Sequence, residues 1–173
     1  MLKSASYLNG LVNVQDRISL AGQWLAALAL GAVVIIYAYE IVMRYFLHAP
    51  TIWASDFVSF LLLVSVFAAL PWLTREGGNV AVTLLPDFLP PALGDRLLRA
   101  GFFVSAMTCL WVAYIGLEET LVSYGRDTMT MTTVRVPRWP MLLLIAVAFL
   151  GSGLHFFRLA LARNVEHDGT GHV

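Results

Sequence analysis

The side chains best equipped for chemistry in this sequence are few, and three of them share one stretch, YEIVMRYFLHAPTIWASDF at residues 39–57. Glu40 and Arg44 are four apart, so on a helix they share a face. The acid then lies about one turn, roughly 5–6 Å, deeper in the preceding apolar run than the base. Pairing lowers the cost of a carboxylate near hydrocarbon, and Arg44 can extend its head outward. Pro50 blocks helix continuation, Thr51 is placed to cap, Trp53 is an interfacial anchor, and Asp56 falls in the first turn of the next helix, where the dipole favours an acid. Three roles fit these residues: a charged rim closing one helical hairpin, a contact with a partner subunit, or a proton or ion relay.

Other reactive groups are scattered. Of His48, His155, His167 and His172, only His155 lies in an apolar run, so one chain lacks the second axial ligand of a bis-histidine haem. Cys109 is the single cysteine, which leaves neither an internal disulfide nor a cysteine metal cluster, and it is expected to pack. The Gly-Gly-Asn at 77–79 reads as a turn. Nucleotide-binding glycine patterns, Ser-His pairs and zinc motifs are not seen. The expectation is a chain with no cofactor, no metal and no enzymatic activity.

The elements that must position these residues follow from composition. Of 173 residues, 59% are hydrophobic and 13% charged, and the mean hydropathy is +0.76. Four runs, about 18–43, 57–74, 100–117 and 139–157, are long enough as helices to cross a hydrocarbon core of about 30 Å. They are apolar on every face, unlike the helices of a soluble bundle, and lack the period-two alternation of a membrane barrel. The fold class expected is an all-α integral membrane protein with four transmembrane helices in a single domain over 1–163. A polar tail follows at 164–173. The first run is too long for a cleaved signal peptide and is expected to remain.

Lysine plus arginine equal aspartate plus glutamate at eleven each, so bulk charge points to neither nucleic acid nor an anionic lipid surface. With four helices, one side carries Lys3, Arg17, Arg75, Arg96, Arg99, Arg158 and Arg163, and the other Arg44, Arg126, Arg135 and Arg138. That bias predicts cytoplasmic N- and C-termini. A C-terminal reporter active only after export would overturn it.

The stretch RYFLHAPTIWASDFVSFLLLVSVFAALPWLTREGGNVAVTLLPDFLP resembles the small, DctQ-like (Q-type) membrane subunit of tripartite ATP-independent periplasmic (TRAP) transporters. The matching positions are Arg44 with Tyr45, Pro50, Trp53, Asp56, Arg75 with Gly77 and Gly78, and Leu89 with Pro90. Further on, TTVRVPRWPMLLLIAVAFLG is similar to the family's opening of its last helix, with Val136, Pro137 and Trp139 in place. The resemblance covers about residues 15–163. Departures are Asp56 where the family has Glu, Asn79 where it has His, and Thr83 where an acid is common. A duty resting on a titrating group at 79 is therefore in doubt.

The resemblance implies a non-catalytic subunit in the bacterial inner membrane. Its partners would be a large multi-helix permease subunit, a periplasmic substrate-binding protein and membrane lipid. The implied task is bracing the permease during sodium-coupled uptake of a carboxylate-bearing solute. Arg44, Trp53, Asp56 and Trp139 are then expected at a structural or partner edge, with Glu40 as an internal counter-ion. Two rival readings are the small subunit of a tripartite tricarboxylate carrier and the membrane anchor of a redox enzyme.

Two smaller expectations concern packing. The stretch NVAVTLLPDFLPPALGDRLLRAG at 79–101, with Val80, Leu84, Leu85, Phe88 and Leu89 interrupted by Pro86, Pro90 and Pro91, suits a short interfacial segment between helices 2 and 3, or an ordinary loop on the helix ends. Ala27 with Gly31, Gly101 with Ser105, and Gly151 with Gly153 offer close-packing surfaces, either within the chain or toward another subunit. Trp72, Trp111, Tyr114, Trp139, Phe156 and Phe157 are expected as interfacial anchors, and Pro71 as a kink.

Overall fold

A computed structural model describes residues 2–49, 51–76 and 91–161. Four helices make up nearly all of it: α1 (Leu2–Phe46), α2 (Ala54–Arg75), α3 (Pro91–Gly125) and α4 (Trp139–Leu161). All four are long and apolar enough to cross a membrane. Of the interfacial segment expected over 79–101, residues 79–90, with Asn79 and Thr83, lie outside the described residues, as does the tail at 164–173, whereas 91–101 are the opening turns of α3.

Helix ends follow local chemistry. α1 stops ahead of Pro50: His48 turns left-handed (φ 52°), and the Ala49 amide donates to the Met43 carbonyl at 3.1 Å. α3 closes in a Schellman motif, with Asp127 left-handed (φ 47°). The Asp127 and Thr128 amides donate to the Tyr124 and Ser123 carbonyls at 3.3 and 3.2 Å. α2 begins three residues before the expected position, with Trp53 at its cap and no side-chain cap bond. Thr51 therefore does not cap it. α3 outruns its apolar stretch at both ends, because length in hydrocarbon limits the span and not the helix.

The helices form a row. α1 packs along α2, α2 along α4 and α4 along α3, and no comparable packing joins α1 to α3 among the described residues. Buried residues make a narrow stripe on each helix: Ser19, Ala26, Ala29, Val33 and Glu40 on α1, and Ala54, Val58, Ser65 and Ala68 on α2. These spacings of three, four and seven mark one helix face. Only 17–28% of each apolar span is buried, so most of the hydrophobic surface faces outward, as suits helices solvated by lipid.

Small residues set the close approaches. A Cβ on Gly22 would stand 2.5 Å from the Ala68 carbonyl oxygen, and one on Gly116 would stand 3.1 Å from the Ala146 methyl. Both glycines escaped the sequence reading. Gly151 rests on the Pro71 ring and Gly153 on Leu110 and Cys109, so this pair packs within the chain. Gly31 meets nothing within 4 Å. α2 continues through Pro71. The aromatic assignment needs correcting at Phe156, which is buried against Phe102 in the α3–α4 core, while Trp111 and Tyr114 stand exposed on α3.

Candidate functional site at the two ends of the bundle

The end formed by the α1–α2 and α3–α4 turns holds all five residues singled out by sequence. Glu40 is the centre of the first joint. Its Oε1 accepts from Arg44 Nε at 3.2 Å and Nη2 at 2.7 Å, and its Oε2 accepts from the Thr51 amide at 3.1 Å. One carboxylate thus ties the last turns of α1 to the chain that has already reversed. Its side chain is 8% exposed and that of Arg44 59%, so the acid is internal and the base reaches outward.

Asp56 makes the second joint. Its Oδ2 accepts from the Val134 amide at 3.0 Å, across 78 residues of sequence. The same carboxylate stands in the first turn of α2, so one side chain joins the start of that helix to the distant loop. The loop so held is an ordered hairpin. The Thr130 amide donates to the Val136 carbonyl at 2.9 Å and the Arg138 amide to the Thr128 carbonyl at 3.0 Å. The Thr132 hydroxyl donates to the Val134 carbonyl at 2.7 Å. Met129 and Met131 stand exposed on it.

The tryptophans are fixed by neighbours. Trp53 sits between Tyr39, at 6.2 Å between ring centroids, and Phe57, edge-on at 5.6 Å. Trp139 packs edge-on against Tyr124 at 5.8 Å, where α3 gives way to α4. The turn end therefore contains two joints, Glu40–Thr51 and Asp56–Val134, each with an aromatic contact nearby.

The opposite end carries a junction that sequence reasoning missed. Asp16 on α1 meets Arg158 of α4 at 3.2 Å through Oδ1 and Arg75 of α2 at 3.5 Å through Oδ2. One turn on, Ser19 Oγ and His155 Nε2 are 2.9 Å apart, both residues buried, and the Ser19 hydroxyl also donates to the Gln15 carbonyl at 3.0 Å. Gln15 Nε2 donates to the Gly151 carbonyl at 3.4 Å. Gln15, Asp16 and Ser19 share one α1 face, which is the legible signal for this cluster. Their partners on α2 and α4 were not legible.

Residues 18–166 match the family model described as Tripartite ATP-independent periplasmic transporters, DctQ component. No curated protein was found to match the chain.

Proposed function

This chain belongs to the DctQ component family of tripartite ATP-independent periplasmic transporters, and on that premise we propose that it is a non-catalytic scaffold subunit. It braces the large permease subunit of a sodium-coupled importer to which a periplasmic binding protein delivers a carboxylate-bearing solute. The family makes it a small membrane subunit of a tripartite transporter and a multi-pass membrane protein. Residence in the inner membrane with cytoplasmic termini is part of the proposal.

One observation carries the scaffold reading. At both ends the three best-buried carboxylates among the described residues serve the chain's own joints, Glu40 with Arg44 and Thr51, Asp56 with Val134, and Asp16 with Arg75 and Arg158. Meanwhile the edge helices of the row present apolar faces outward, Trp24, Leu28 and Ile35 on α1 and Trp111, Tyr114 and Leu121 on α3. A rigid slab with unfilled flanks suits bracing. Arg44, Trp53, Asp56 and Trp139 would shape the docking edge at the turn end, with Glu40 as counter-ion.

Co-expression with a large permease subunit and binding protein, followed by reconstitution, tests this. The expected result is stable co-purification and sodium-dependent uptake of a carboxylate only when this chain is present. Uptake of equal rate without it, or solute movement by this chain alone in liposomes, would refute the role.

A further inference from the structure

We propose that Arg75 and Arg158 form a binding site for the phosphate of an anionic phospholipid at the Asp16 end of the bundle. Two guanidinium groups, brought from α2 and α4, share the single carboxylate of Asp16 at 3.5 and 3.2 Å. The trio keeps one positive charge in excess. Each guanidinium has five N–H donors in a planar fork that matches phosphate oxygens, and one contact to Asp16 leaves most of them unused. Both side chains remain accessible, at 35% and 47% exposure.

The surroundings favour a lipid as the source of that phosphate. The pair lies in the last turns of α2 and α4, where the apolar spans end and headgroups begin. Arg75 is steadied over the Trp72 ring at 4.9 Å. On the same helix side as Arg158, Leu154 and Phe157 are exposed on the span side of it and Leu161 one turn beyond it, at the helix end. A phosphodiester over the arginines would lay its acyl chains on Leu154 and Phe157. Glu76 and Arg17 next to the trio are exposed and offset one another in charge.

The test uses the full chain, purified and delipidated, with first-lipid affinity read by native mass spectrometry. The probes are phosphatidylglycerol, phosphatidylcholine with the same acyl chains, and inorganic phosphate. Phosphatidylglycerol should bind more tightly than phosphatidylcholine, and millimolar phosphate should not displace it. Arg75→Gln and Arg158→Gln should each weaken phosphatidylglycerol binding about fivefold, the worth of one arginine at a charged membrane surface, and Arg17→Gln should change it less than about twofold. Asp16→Asn removes the competing carboxylate and should tighten binding several-fold, a gain that misfolding cannot produce. Equal affinity for the two lipids, an unchanged affinity in both glutamine variants, an equal loss in Arg17→Gln, or no gain in Asp16→Asn would overturn the site. Displacement by inorganic phosphate would overturn the lipid as its ligand.

Discussion

Replacing Glu40 by alanine removes an acceptor that serves three donors, two on Arg44 and the amide of Thr51. The Arg44 contribution is small. Its side chain is 59% exposed, so the pair behaves as a screened i,i+4 ion pair worth about 0.3–0.5 kcal/mol. The Thr51 amide matters more, because its acceptor is an internal carboxylate and a hydrogen bond to a charged group contributes about 1.5–3 kcal/mol. Removing a charge held near hydrocarbon offsets part of that loss. The net destabilisation expected for Glu40→Ala is about 1.5 kcal/mol, against about 0.5 kcal/mol for Arg44→Ala. Glu40→Gln should fall between alanine and wild type, since its amide oxygen can still accept from Thr51. Unfolding by SDS titration in mixed micelles measures all three. If Arg44→Ala costs as much as Glu40→Ala, the ion pair holds this turn and the argument from the Thr51 amide is wrong.

Two further outcomes follow from the packing and the second joint. Gly22→Ala would drive a methyl into the Ala68 carbonyl, whereas Gly31→Ala enters open space. The same titration should show a loss of about 1–3 kcal/mol for the first and none for the second, and equal effects would mean that α1 does not pack on α2 through Gly22. Asp56→Ala removes the acceptor of the Val134 amide, so hydrogen exchange at Val134 should accelerate about tenfold, the equivalent of one charge-assisted hydrogen bond. The Thr130 amide, bonded to Val136 within the hairpin, should change less; an unaltered Val134 would show that the hairpin holds itself.

Sequence alone determined what depends on composition and short spacing. Four spans follow from apolar length against membrane thickness, the Glu40–Arg44 pair from a separation of four, and the family from Arg44, Trp53, Asp56, Pro137 and Trp139 in order. Tertiary structure decided what depends on facing. Helices apolar all round carry no mark of which side turns inward, so spacing picked out Gly31, which is open, and passed over Gly22, which is pressed to a backbone. Nor could spacing show that Asp16 meets Arg158 across 142 positions, or that Asp56 holds an amide 78 residues away. Those partners are chosen by the lateral order α1–α2–α4–α3, which brings the ends of distant segments together and depends on side-chain fit between helices that hydropathy treats as equivalent.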